Sequence, residues 1–408
     1  MLMHKSDHFV AREPKKMLDT SLGNIALIST ILRTIPREAV DSALTKHESH
    51  GSRDRDMPNW LIPVFLVTSC IFAEENYESV AEHLAESYRH IHGPTVELAT
   101  PTSSGITQAR KRMSWRVMES LFRSTSEPLN PDAAETMILH GLKLRTIDGT
   151  TIDLPDTDEN AKEFGYAETG GARSAFPQMR AVLLIENSSK AVLDVETGRG
   201  DKDCSEKQLA REIIKRMELG TLLLADRYYP GKGIWDMAVQ RQIELLWRVK
   251  SGIRLDPIKV LPDGSYLAYF CGNDVHGKND NRQKKGTLVR VVSYTLDGSD
   301  SVYRLMTSLL NHDLYPAKDL ARLYAERWDI ETVISEMKIK LKRKTLIRSR
   351  SPELVKQEFF ALLLAHRVVR TLMLEAADYG GRFLDSISFS RTVKVIRDHL
   401  PMLGRFSP

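Results

Sequence analysis

The hydrophobic pattern changes character once along this chain. From about Leu18 to Ser126, apolar residues fall three and four apart, the spacing of helices. ALISTILRTI, PNWLIPVFLVTSCIFA and YESVAEHLAESYRHI all read this way, and Pro58 and Asn59 punctuate before the second. In PTSSGITQARKRMSWRVMESLFR, Ser103 or Ser104 is the expected cap of a short basic helix, and Ser114 separates it from the next. After SEPLNPDAAE the text alternates between strand and helix. LKLRTIDGTTIDL reads as a strand with a turn, and RAVLLIEN with KAVLDVET as a hairpin-like pair. SEKQLAREIIKRMEL is an amphipathic helix stopped by Gly220. The apolar run of TLLLADRYY suits a strand buried on both faces. GIWDMAVQRQ follows as a helix and IELLWRV as another strand.

From Lys250 to Leu310 the reading is β again, with runs around PDG and DGSD. Helices resume at Pro316, reaching about Lys344, and then run from Ser351 through Ala377. The expected organisation is a loose end at 1–17 and a helical N-terminal domain at 18–130. An α/β core follows at 140–249 and 311–377, with a β-strand insertion at 250–310 and a tail at 378–408.

Composition adds exclusions. With 42% apolar and 27% charged residues among 408, a packed core is expected and wholesale disorder is not. A net charge of +4 excludes a histone-like polycation. Cys70, Cys204 and Cys271 lie far apart, which excludes a disulfide scaffold and a cysteine-rich zinc site. The N-terminus lacks the apolar stretch of a signal peptide. The longest apolar run, Trp60 to Ala73, is too short to span a bilayer. The expectation is a soluble intracellular protein with no membrane partner.

Charge is distributed unevenly. Residues 338–350 carry seven basic residues and no acid, while 148–168 carry seven acids and one Lys. A basic ridge beside an acidic pocket suits a DNA backbone track ending at a cation site. Lys342 and Arg343 lie in that ridge, and Arg110, Lys111 and Arg112 give the helix SGITQARKRM a candidate groove-reading face.

Three acids stand out. Asp148 ends the apolar part of LRTID, Asp226 ends LLLAD, and Glu331 lies in the helix LARLYAERWDIETVISEMKIKLK. Carboxylates at strand ends and on a packed helix can converge. Together they repel unless cations neutralise them, and oxygen-only ligands suit magnesium or manganese. Asp153, Asp156 and Asp158 sit in a Pro-containing loop, where turn duty or solvation is the expected role. At 100° per residue, Tyr324, Arg327, Glu331 and Lys338 share a narrow arc of the helix. Leu323, Ile330, Ile334, Met337 and Leu341 form a neighbouring apolar stripe that would seat it. Trp247 and Trp328 read as core or packing residues, with stacking on an unpaired base as the alternative.

YAERWDIETVISEMK matches Tyr-x2-Arg-x3-Glu-x6-Lys, the signature of the YREK group of bacterial insertion-sequence transposases, the insertion-sequence-four family. IDGTTIDLPDT resembles that family's first Asp segment and LLLADRYYPG its second. The resemblance covers roughly residues 20–375, and only 378–408 follow, shorter than the C-terminal dimerisation region of some relatives. It implies an RNase H-like catalytic core with a β-rich insertion behind a helical DNA-binding domain. It also implies a DDE transposase acting on DNA, the element's terminal inverted repeats and the target, as a homodimer in the synaptic complex. Asp148, Asp226 and Glu331 would bind magnesium, with manganese as substitute. Tyr324, Arg327 and Lys338 match the residues that hold end phosphates, in a cytoplasmic, nucleoid-associated enzyme. Two rivals stay open: an RNase H-like nuclease without strand transfer, and a DNA-binding, repressor-like protein that has lost catalysis.

Overall fold

A computed structural model describes residues 20–49, 57–92, 100–129, 138–169, 172–272, 286–295, 302–341 and 347–399. The expected loose end at 1–17 and the ridge residues Lys342 and Arg343 lie outside them. Six helices come first: α1 (Thr20–Thr34), α2 (Arg37–Lys46), α3 (Leu61–Ile71), α4 (Tyr77–His92), α5 (Ser103–Arg112) and α6 (Trp115–Ser124). All eleven residues of α3 are buried, as its unbroken apolar run demands. Thr102, not Ser103 or Ser104, caps α5, its side chain accepting from the Gly105 N–H. Ser114 caps α6 as expected.

The sheet begins with β1 (Ile138–Leu139) and β2 (Leu142–Asp153), followed by α7 (Asp158–Phe164), the short pair β3 (Glu168–Thr169) and β4 (Ala172–Arg173), then β5 (Gln178–Glu186) and β6 (Val192–Arg199). Next come α8 (Glu206–Arg216), β7 (Thr221–Ala225), α9 (Lys232–Gln240) and β8 (Glu244–Arg248). The strand order β6-β5-β2-β7-β8 puts three antiparallel strands beside two parallel ones, the RNase H-like arrangement. β2 is one strand with no turn at Gly149. It pairs with β5 from Arg145↔Glu186 to Asp153↔Gln178, and this continuous ladder overrides the local turn signal. The helix expected to stop at Gly220 ends at Arg216. Gly220, with φ 70°, instead makes the left-handed turn into β7.

The insertion is antiparallel β as expected: β9 (Lys259–Val260), β10 (Tyr266–Phe270), β11 (Thr287–Thr295) and β12 (Val302–Thr307). It does not stand apart. β12 pairs with β8, so the insertion extends the main sheet.

After β12 come α10 (Ala317–Leu323), a 3-10 turn (Tyr324–Arg327), α11 (Trp328–Ser335), a π-helical segment (Glu336–Leu341), α12 (Pro352–Gly380) and α13 (Phe389–His399). Helices α8 and α9 cover one sheet face, around Ile147, Leu223 and Leu245. The other face carries Leu183 and Ile185 against Ile330, Met337 and Leu341, and this cluster continues through α12 into Phe65, Val117 and Leu121 of the N-terminal helices. Each such fully buried aliphatic side chain stabilises the fold by about 1.5–3 kcal/mol. The N-terminal helices and the α/β core therefore share one hydrophobic interior.

Candidate active site

The parallel pairing of β2 with β7 ends at Thr146↔Leu224. Continued by two residues, that register sets Asp226 beside Asp148 where the two strands part. Each carboxylate is tied to a nearby backbone amide. The Gly149 N–H donates to Asp148 Oδ1 at 2.8 Å, and the Tyr228 N–H donates to Asp226 Oδ1 at 2.7 Å. These bonds fix the carboxylate orientations without spending both oxygens.

The signature helix lies across this strand end, and three of its residues fasten to successive points. Tyr324 donates its hydroxyl to the Ala225 carbonyl at 3.2 Å, one residue before Asp226. Arg327 reaches Glu331 Oε1 at 2.8 Å and Asp148 Oδ2 at 3.8 Å, bridging the first and third acids. Lys338 donates to the Thr151 carbonyl at 2.8 Å and to Thr150 Oγ1 at 3.3 Å. The apolar stripe seats as expected, with Ile330, Met337 and Leu341 buried and Leu323 and Ile334 partly buried. The helix is not uniform, however. Its 3-10 start and π-helical end change the angular step, so an arc computed at 100° per residue does not hold through Lys338. Contact with β2, not regular winding, positions the lysine.

Neighbouring acids are engaged elsewhere. Asp329 pairs with Lys190 at 3.4 Å, Asp153 accepts from Gln178 at 2.6 Å, and Asp156 accepts from Tyr166 at 2.6 Å. Arg110 is a correction. Only 2% exposed, it donates to Tyr77, Ser349, Gln357 and the Leu354 carbonyl, locking α5 to α12. It cannot read DNA from there. Of that predicted basic face, Lys111 is exposed, whereas Arg112 reaches the Met57 carbonyl. Trp247 is buried, but Trp328 is 63% exposed beneath the Arg327 guanidinium, so the packing expectation fails for it. It lies off the apolar stripe, on the solvent side of α11.

Electrostatics single out Asp148. Burial pushes its carboxyl up to about 7, opposed by the Gly149 N–H and Arg327 and reinforced by Asp226 and Glu206. Burial also raises Glu206, opposed by Arg180 and reinforced by Asp226. Arg327 is shared by Asp148 and Glu331 beside Asp226, an acidic group whose charge a divalent cation would neutralise. The oxygen-only donors suit magnesium or manganese. Among the described residues, no three acid, His or Cys side chains already enclose a metal position. Arg327 stands between Asp148 and Glu331 instead.

Sequence reasoning missed two features. A cleft of about 960 Å³ opens beside Asp226, between the end of β8 and β12, with Arg227, Arg248, Lys250 and Arg304 around Tyr228 and Tyr303. These residues are scattered in sequence and give no local signal. The other is Glu206, whose carboxyl fills the space beside Gly149 that a Cβ there would occupy.

Residues 140–367, more than half of the chain, match the family described as transposase DDE domain, and residues 26–123 match the insertion element 4 transposase N-terminal family. The chain belongs to the DDE transposases. It is 28% identical over 310 residues to transposase InsG for insertion sequence element IS4 of Escherichia coli, covering 75% of this chain and 69% of that one. It is 32% identical over 127 residues to putative transposase InsZ of the same organism, covering 31% of this chain and 42% of that one. A cryo-EM structure of the piggyBac transposase synaptic complex with hairpin DNA is similar at 12% identity and TM-score 0.48, covering 96% of this chain and 83% of that one. The strand order gives this transposase its RNase H-like core. No helix among its described residues is long and apolar enough to cross a membrane.

Proposed function

We propose that this transposase binds the terminal inverted repeats of its own insertion sequence, cleaves the element ends and joins the 3′-hydroxyl ends to target DNA. Asp148, Asp226 and Glu331 are its metal-binding acids. The observation that carries this reading is the Arg327 bridge between Asp148 and Glu331, residues 183 apart in sequence, beside the Asp226 strand end. Magnesium, or manganese in its place, would activate the attacking oxygen and stabilise the leaving one when held by these carboxylates.

The chain's own groups prepare the site. The Gly149 and Tyr228 amides orient two carboxylates, and Glu331 is presented on a helix seated by its apolar stripe. Arg327 Nε is buried with no partner, a spare donor for a phosphate oxygen. Lys338 extends that donor row, while Tyr324, its one hydroxyl proton given to the Ala225 carbonyl, fastens the helix to β7. The basic, aromatic-lined cleft next to Asp226 offers a path for the DNA strand. Lys111, Arg112, Lys342 and Arg343 widen the DNA contact. Two copies act together in the synaptic complex, in a cytoplasmic, nucleoid-associated setting.

Glu331→Gln tests the reading, because it keeps shape and removes charge. The variant should fold and bind element-end DNA in a gel shift as wild type does. Cleavage and strand transfer in magnesium should both collapse, by about 10³-fold or more, as expected when several kcal/mol of charge stabilisation is lost. A Gln variant that cleaves normally would remove Glu331 from the site. A wild type that binds ends but never nicks them would favour the repressor-like reading.

A further inference from the structure

The turn between β5 and β6 is polar yet closed to water. Asn187 is 2% exposed, and Glu186 and Ser189 beside it are as deeply buried. A turn ordinarily runs over the surface, where water meets its polar groups. Here protein meets them. The Glu186 carboxylate accepts from the Ser188 and Ser189 N–H groups at 2.6 and 2.8 Å, which closes the turn. Lys190 follows in the left-handed region, at φ 58°, which a lysine seldom adopts without outside support. Its ammonium pairs with Asp329 of α11 at 3.4 Å and with Asp385.

Asn187 reaches both elements that carry the site. Its Oδ1 accepts from the Thr146 hydroxyl at 3.0 Å. Thr146 is fully buried, two residues before Asp148 and on the same face of β2. Its Nδ2 donates to the Glu326 carbonyl at 2.9 Å, in the peptide that leads into Arg327, and more weakly to Asp329 at 3.5 Å. One amide side chain thus ties the strand of Asp148 to the helix of Arg327. The tie falls where regular winding does not fix direction, because the 3-10 turn gives way to α11 at the next residue. A buried amide with both its oxygen and its nitrogen engaged leaves the two elements little slack.

We propose that Asn187 is a positioning residue. By holding the Glu326 peptide against β2, it sets the Arg327 guanidinium between Asp148 and Glu331, where it meets a phosphate of the bound DNA end. This rests on the reading of Arg327 as a phosphate donor given above.

The test is a gel-shift titration of element-end DNA against salt, in chelator, with the full chain. Arg327→Ala should lower the log–log slope by about one unit, the loss of one phosphate contact. Asn187→Ala should lower it by the same amount. The double variant should also lose about one unit, not two, because both changes remove the same contact. Thr146→Val deletes only the hydroxyl that Asn187 accepts from, and should weaken end binding in the same direction by a smaller factor. A turn that serves the fold alone would lower the melting temperature of the Asn187 and Thr146 variants and leave their slopes at the wild-type value. That result overturns the inference while Arg327 keeps its role. A double variant that loses two units gives Asn187 a separate contact and overturns it as well. An unchanged slope for Arg327→Ala removes the phosphate reading, and the inference with it.

Discussion

Two buried carboxylates, on neighbouring pieces of this molecule, have opposite surroundings. Glu336, at the start of the π-helical segment, accepts from Arg370 Nη2 at 2.7 Å and from His366 Nε2 at 2.9 Å. Burial would push its carboxyl up, but the His366 hydrogen bond and charge and then Arg370 outweigh it and hold it below the ordinary value. Asp148 is also largely buried, yet among the described residues its one ion-pair partner is Arg327 at 3.8 Å, shared with Glu331, and it faces other acids. The same side-chain chemistry serves scaffold in one place and leaves unbalanced charge in the other. The partner count makes the difference. A buried acid with its hydrogen bonds filled locks elements together, here the π-helical segment to α12. A buried acid short of cations is a place prepared for one.

The comparison breaks most readily at Glu336. Glu336→Ala leaves the Arg370 guanidinium buried and unpaired, so urea unfolding should show a loss of about 3–5 kcal/mol. Wild-type stability from this pair should be present above the ordinary carboxyl range and fall as acid protonates Glu336. A loss no larger than that of an average surface substitution would show that this region is not a lock.

Asp148 should behave with the opposite sign. Below the ordinary carboxyl range both folded and unfolded states hold the proton, and nothing is lost. As pH rises, the unfolded chain ionises first, so metal-free protein should lose stability until about pH 7, where folded Asp148 ionises too. The loss is on the order of a few kcal/mol. Asp148→Asn should flatten that slope in chelator-treated protein and be as stable as wild type or more so at pH 7. Matching pH profiles for variant and wild type would remove the contrast.

The smallest effect sharpens the site half. Lys338 is bound to β2 only through Thr150 and Thr151. Lys338→Ala should cost stability by no more than about 1.5 kcal/mol. It should weaken end binding and lower the log–log salt slope by about one unit. An unchanged slope with a larger stability loss would make Lys338 a scaffold cation like Arg370.

Much of the fold was readable from pattern because periodicity is a local property. Five of the six leading helices (all but α2), the apolar β7, the β insertion and the stripe under the signature helix each follow from spacing alone. A strand end marks Asp226 and a helix motif marks Glu331, whereas at Asp148, where the pattern suggests a strand end, β2 runs on to Asp153. Local reading failed where a neighbour decides. Gly149 looks like a turn until β5 pairs through it. Arg110 looks like a surface cation until Tyr77, Ser349 and two α12 residues, Leu354 and Gln357, supply its acceptors. Trp328 looks like core until its side of α11 proves to face solvent.

By itself, then, the sequence determined the identity and order of the elements and the residues available for chemistry, since backbone propensity and side-chain type act over a few residues. Only the tertiary structure decided which charges are compensated. It brought Arg327 to two acids, gave Glu336 its partners, and placed Glu206 in the gap at Gly149. Those outcomes depend on desolvation and on distances of a few ångströms between groups far apart in sequence, and no local pattern encodes either.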